Sequence, residues 1–375
     1  MKKIGIVTLH GYFNYGNKLQ NYALKYTLEK MGYDVATTVV TDVEQENSAL
    51  KNKINNIKKI GISEFSKIIF NKFFSKKNKK IEKEIVQNRE AFFKEFSKKY
   101  LNEKFFNLKN VDDRVQMDEF DFFVTGSDQV WNPFYFEKLD IFFLTFAKKK
   151  RRISYAPSMS VDKLPPQYIS DYKKWLFDMN SISIREEAGA KIIKEITDKD
   201  VPVVVDPTLL LSKKEWMSVA KKPDYFPDKK YILTYFLGET PPKALEKINL
   251  INSKEEYEII NLGQISEREI YESGPEEFIY YIEKSSIFLT DSFHGVVFSM
   301  LMETPFIVYE RKSKTRSMYS RIETLLKMFN LEKREDKNIN GNFLELDFSH
   351  IEKILDNEKN KSINYLRNAF EKNVE

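Results

Sequence analysis

The 375-residue sequence contains no cysteine, which excludes disulfides, thiolate metal sites and cysteine nucleophiles together. It has only three histidines, His10, His294 and His350. No HExxH or comparable His–carboxylate spacing accompanies them, so no dedicated metal site is expected. No apolar run approaches the roughly 18 residues needed to span a bilayer. Residues 4–9 are too short for the core of a signal peptide and lead straight into a polar Gly/Asn loop. A cytoplasmic protein is expected.

What is present is a globular composition, 42% hydrophobic and 31% charged, with 30 Phe and 20 Tyr. The length suits two domains of about 150–200 residues each. The net charge of +5 is unevenly placed, because residues 51–100 carry 15 Lys and Arg against 5 Asp and Glu. The rest of the chain is therefore net acidic, and the basic segment alone gives no argument for a nucleic-acid partner.

Residues 3–9 read as a buried strand, 17–31 as a helix with Leu19, Tyr22, Ala23 and Tyr26 at helical spacing, and 33–40 as a second strand. Gly32 stands where a helix end favours a residue that tolerates positive φ. This opening is a βαβ unit and implies a parallel sheet. Residues 44–115, rich in Lys and Phe, read as a helical insertion. Their interleaved pattern fits an amphipathic helix with its Phe face on the domain. It also fits an interfacial helix making weak peripheral contact with an anionic membrane through residues 51–100.

The sheet resumes at 120–124, 152–155, 181–184 and 201–205. Ser212 and Glu215 form a capping box that opens the next helix. A second alternation follows, with strands 231–237, 257–262, 287–290 and 306–309 and helices 241–253, 275–284, 295–303 and 317–329. The expected fold class is α/β, with two Rossmann-like domains facing a cleft lined by the carboxyl ends of their strands. The domains are expected at 1–208 and 209–335, with a charged helical extension at 336–375.

Three polar segments lie at strand ends. In Asp291-Ser-Phe-His-Gly295, a buried strand ends where a helix begins. Backbone donors at such a helix start favour an anion, and His294 adds a group that exchanges protons near neutral pH. A helix cap is the plainer reading. The loop after the first strand offers Asn14, Asn17 and Gln20 to hydroxyls or phosphate, or simply makes turns. It is not a GxGxxG loop. The segment after residue 124 gathers Ser127, Asp128, Gln129 and Asn132 around Trp131, whose indole could hold a sugar ring; a buried turn is the alternative. It lacks the glycine of a serine-hydrolase elbow. Arg185 can grip a carboxylate or phosphate, or pair with Glu187 or Asp206. Arg311, Lys312, Lys314, Arg316 and Arg321 follow as further phosphate contacts or as a solvated face.

Together these segments resemble the polysaccharide pyruvyl transferase family. The resemblance rests on Asn14-Tyr-Gly-Asn17 with Leu19-Gln20 and Tyr22-Ala23-Leu24, on Gly126-Ser-Asp-Gln-Val-Trp-Asn132, on Ser183-Ile-Arg-Glu-Glu187, on Asp206-Pro-Thr208, and on Asp291-Ser-Phe-His-Gly295 with Phe298-Ser299. All occur in family order between residues 4 and about 330.

The resemblance implies a GT-B-like fold and transfer of pyruvate from phosphoenolpyruvate to a pair of sugar hydroxyls, forming a ketal of a surface polysaccharide or exopolysaccharide precursor. Phosphoenolpyruvate is then a co-substrate and no cofactor is needed. The partner is a sugar or lipid-linked oligosaccharide acceptor. His294 is the expected general acid or phosphate partner, and Asp128 a candidate base on the acceptor side. Arg185, Ser292, Gly295, Arg311 and Arg316 are expected at the donor. Asn14, Asn17, Gln20, Ser127, Gln129, Trp131 and Asn132 are expected at the acceptor. Family members place an Arg two residues before this His, where this chain has Ser292, so Arg311 or Arg316 is expected to replace it. Two rival readings are a GT-B glycosyltransferase using a nucleotide sugar and a non-catalytic binding protein of a polysaccharide pathway.

Overall fold

The computed structural model describes residues 1–41, 76–135, 138–311 and 319–371. Its first sheet holds β1 (Lys3–Val7), β2 (Asp34–Thr41), β3 (Glu103–Asn107), β4 (Phe122–Thr125) and β5 (Arg152–Ser154) in the order β3-β2-β1-β4-β5. Its second holds β6 (Tyr231–Tyr235), β7 (Glu258–Asn261), β8 (Ile287–Thr290) and β9 (Phe306–Val308) in the order β7-β6-β8-β9. Every pairing is parallel. The central strands β4, β6 and β8 are buried throughout, as expected where helices cover both faces of a sheet. The two Rossmann-like units are therefore present. Each sheet has a switch point where crossovers diverge, between β1 and β4 in one and between β6 and β8 in the other, and ligands of such sheets bind there.

The helices are α1 (Tyr15–Lys30), α2 (Lys76–Tyr100), α3 (Val111–Met117), α4 (Pro166–Phe177), α5 (Glu187–Thr197), α6 (Lys213–Met217), α7 (Pro242–Ile251), α8 (Arg268–Tyr271), α9 (Pro275–Lys284), α10 (Phe293–Met302), α11 (Ser320–Met328) and α12 (Ser349–Glu371). All ten residues of α10 are buried, so this helix is apolar on every side because it lies inside the molecule. One core runs from the first unit into the second. Tyr15 stacks on Phe278 at 4.4 Å, Tyr22 lies 5.6 Å from Trp216, and Trp216 meets Phe298 at 4.8 Å. Helix α12 returns to the first sheet, where Phe370 packs 5.3 Å from Phe122 and Tyr365 donates to the Ser154 carbonyl.

Two expectations change, and a third is narrowed. Within residues 44–115, the part at 44–75 lies outside the described residues, and Glu103–Asn107 is a strand rather than helix. It occupies the sheet edge, where Lys104 and Phe105 face outward and only Phe106 is buried, so it lacks the apolar run of a central strand. Residues 181–184 and 201–205 form isolated bridges, Ile153 with Ser181 and Ile184 with Val203. Here the hydroxyls of Ser154 and Ser183 bond to each other's backbone, taking positions that a regular ladder would fill. Finally, Phe93 and Phe96 of α2 are fully buried in the shared core, so in its described part the Phe face of this basic segment packs on the protein. No helix among the described residues is long and apolar enough to cross a membrane.

Candidate active site

Both switch points are knitted by side chains. In the first unit, Gln20 donates to Thr8 Oγ1 at 2.9 Å and accepts from the Ser127 N–H at 3.0 Å, while Thr8 donates to the Ser127 carbonyl. In the second, Asp291 accepts from the Leu237 N–H at 2.8 Å and from Arg311 Nε at 2.8 Å. These bonds fix the loops that carry Asp128 and His294.

Helix α10 begins at an N-cap, Ser292, whose hydroxyl accepts from the Gly295 N–H at 3.3 Å. A Cβ at Gly295 would stand 2.9 Å from Thr290 Oγ1, so glycine here permits close helix–strand packing. Ser292 and Gly295 are thus engaged in building the turn rather than in holding a donor. Their product is the position of His294. The ring is buried, its Nε2 lies 3.5 Å from Asp206 Oδ2, and that nitrogen meets no closer acceptor among the described residues. Its other side rests on Gly16 in the first turn of α1, where an added Cβ would overlap the ring at Nδ1.

Asp206 collects the surrounding donors. Its Oδ1 accepts from the Thr208 N–H and hydroxyl, and its Oδ2 accepts from Arg185 at 2.6 Å and Ser127 Oγ at 2.9 Å. Burial pushes this carboxyl up, but the His294 imidazole, Arg185 and Thr208 outweigh it and hold the group well below the usual carboxylate range. Arg185 also donates to Asp128 Oδ1 at 3.1 Å, as does Arg321 at 3.1 Å. The Asp128 carboxyl is pushed up by burial and brought lower overall by Arg185, His294 and Arg321. Phe293 lies beneath both guanidinium groups, 4.4 Å from Arg185 and 5.7 Å from Arg321.

The structure brings together His294, Arg185, Asp128 and Ser127 and adds Asp206, Arg321, Phe293 and Gly16. Several assignments need correction. Asp128 is ion-paired with two arginines, which makes it a weak proton acceptor. Trp131 is fully buried, stacked on Phe143 at 4.6 Å and donating to the Phe142 carbonyl, so it faces no sugar. Asn14 caps α1, and Asn132 bonds to Gln129 and to the Phe134 N–H, so these three side chains shape turns. Gln20 and Ser127 are buried within the frame. Asn17 keeps a buried Oδ1 without a partner, next to Gly16. Arg311 is held by Asp291, and Arg316, with Lys312 and Lys314, lies outside the described residues.

Arg321 was hidden in a basic run that also reads as solvated, and Gly16 left one usable signal, a glycine in a helix where alanine is ordinarily better. At most exposed helical positions Gly→Ala gains about 0.5–1 kcal/mol. Here the sign reverses. G16A is expected to lose about 1–3 kcal/mol, measured by urea denaturation, because the new methyl displaces His294. A stabilised G16A protein would contradict this contact.

No group of three or more His, Asp or Glu able to hold a metal occurs among the described residues. The centre comprises two carboxylates, two guanidinium groups and an imidazole, gathered beside the carboxyl ends of β4 and β8. Fold and site define a two-unit α/β protein with a buried cluster of arginines, carboxylates and one histidine. The chain belongs to the polysaccharide pyruvyl transferase family, whose model matches residues 14–313, and so to a family of transferases.

Among solved structures it is similar to UDP-GlcNAc 2-epimerase from Neisseria meningitidis bound to UDP-GlcNAc, with 10% identity, 98% of this chain and 99% of that chain covered, and a TM-score of 0.43. It is also similar to the UDP-GlcNAc 2-epimerase of Methanocaldococcus jannaschii, at 12% identity, 95% and 100% coverage and a TM-score of 0.42. A third is MurG of Acinetobacter baumannii, at 10% identity, 96% and 94% coverage and a TM-score of 0.38. No curated protein matches the chain.

Proposed function

We propose that the protein transfers pyruvate from phosphoenolpyruvate to two hydroxyls of a sugar in a polysaccharide or its precursor, giving a ketal and inorganic phosphate. The observation that supports this most is the buried His294, with an unpartnered Nε2, set beside Asp206 and two arginines in a chain of this family. In this reading His294 protonates the methylene carbon of the donor, which makes C2 electrophilic. A sugar hydroxyl adds to C2 and gives up its proton, returning the imidazole to its starting state. A second hydroxyl then displaces phosphate, which leaves with that hydroxyl's proton. Arg185 stabilises the departing phosphate by charge-assisted hydrogen bonds, and Asp206 holds both Arg185 and the imidazole in place.

The test is incubation of the purified protein with phosphoenolpyruvate and a panel of oligosaccharides, following phosphate release and the ketal methyl signal by NMR. Acceptor-dependent phosphate and ketal in equal amounts are expected. Turnover of a nucleotide sugar in place of phosphoenolpyruvate would overturn the reading.

A further inference from the structure

Two guanidinium groups at the centre keep donors without partners among the described residues. Arg185 and Arg321 come from different units of the fold, yet both donate to the same oxygen, Asp128 Oδ1, at 3.1 Å. Two like charges are thereby held side by side over the Phe293 ring. Burial and the neighbouring Arg185 both pull the Arg321 guanidinium below its ordinary value. The Nε atoms of Arg185 and Arg321 are buried and find no partner among the described residues, and neither does His294 Nε2. One buried donor without an acceptor costs about 1–3 kcal/mol, and two such guanidinium nitrogens at one centre suit a bound anion. Glu186 Oε1 accepts from Ser158 Oγ and from the N–H groups of Met159 and Ser160, while its Oε2 is buried with no partner among the described residues.

We infer that Arg321 is the second guanidinium of the donor subsite, where with Arg185 it binds the phosphate or carboxylate of an anionic substrate. Asp128 positions the two arginines and is not the base. This rests on the pyruvyl-transfer reading for the identity of the donor, though not for the presence of an anion. It also explains how the chain works with Ser292 ahead of its histidine. Arg311 is held by Asp291, whereas Arg321 reaches the centre from the start of α11.

The test is titration calorimetry of the full chain with phosphoenolpyruvate and, separately, with inorganic phosphate. R321Q is expected to weaken phosphoenolpyruvate binding about 10–100-fold, and millimolar guanidinium is expected to restore part of it. A parallel loss for inorganic phosphate places Arg321 at the phosphate end of the donor, and an unchanged phosphate affinity places it at the carboxylate end. Unchanged binding of both overturns the inference. The same comparison in a D128N background separates binding from structure. If Arg321 served only to neutralise Asp128, its replacement would have no effect there, and that result also overturns the inference. Should R321Q fail to fold, R321K carries the test, because an ammonium keeps the charge but loses the fork. An affinity equal to that of the unsubstituted protein would again refute it. Arg321-dependent phosphate binding with no phosphoenolpyruvate binding would leave the subsite standing and remove the pyruvyl donor.

Discussion

H294Q is expected to lower acceptor-dependent phosphate release by about 10²–10⁴-fold, the usual range for a lost general acid, with phosphoenolpyruvate affinity changed far less. The split follows from the geometry. The ring faces Asp206 at 3.5 Å and Gly16. Glutamine keeps a polar group of similar length in the pocket but removes the imidazole that helps hold Asp206 low, so a moderate loss of melting temperature accompanies the loss of transfer. What it removes is the imidazole itself, the group assigned to proton transfer in the proposed reaction. Kinetics with saturating donor, together with calorimetric binding, check both halves of the expectation. Undiminished transfer by H294Q would remove His294 from the chemistry and leave it as a packing residue.

R185M is expected to cost stability rather than chemistry alone. Arg185 is buried and bonded to Asp206 at 2.6 Å and to Asp128 at 3.1 Å. Removing one partner of a buried ion pair costs about 3–5 kcal/mol, because the carboxylates left behind remain desolvated. The pH dependence gives a sharper signature. In the native protein both carboxyls lie below their ordinary value. Their contribution is therefore present above the unfolded carboxylate value of about 4 and is lost as pH falls through the lower folded values. Without Arg185, burial acts with less opposition and raises Asp206. The deficit of R185M relative to the native protein should then shrink between pH 7 and pH 5. Urea denaturation at both pH values measures it, and a deficit that stayed constant or grew on acidification would contradict this account.

The legible parts of the fold were those in which local pattern and tertiary environment agree. Residues 287–290 and 275–284 are found as read, because a four-residue apolar run and a Pro-initiated amphipathic helix each carry their own signal. Strand β3 was not legible, since an edge strand with an outward Lys104 and Phe105 has no buried run to display. At the site, His294 and Arg185 were visible as chemistry-bearing residues at strand ends. The Arg185–Asp206 pair was one of several readings and Arg321 one of several basic candidates, because what selects among them, with Gly16, is contact made only through folding. Trp131 was misread for the same reason, as its ring is covered by Phe143, twelve positions further along. Ser292 carried a local signal that was available and outweighed, since serine before a helix is first of all an N-cap.

Helix α2 has a bearing on motion. Its Arg89 is buried and donates to the Tyr15 hydroxyl and to the Tyr271 carbonyl, with a longer contact to the Phe13 carbonyl. Asn88 bonds to Glu272, and Lys99 and Tyr100 both bond to Glu276. The same helix is thus fastened to the loop that carries Phe13, to α1 and to the segment from α8 into α9. Swinging one half away from the other would strip a desolvated guanidinium of its acceptors, at several kcal/mol for charged hydrogen bonds alone. A clamshell cycle of wide opening and closing is therefore disfavoured. If the proposed reaction takes place at the buried histidine, access would come from local openings rather than from a hinge between the two sheets.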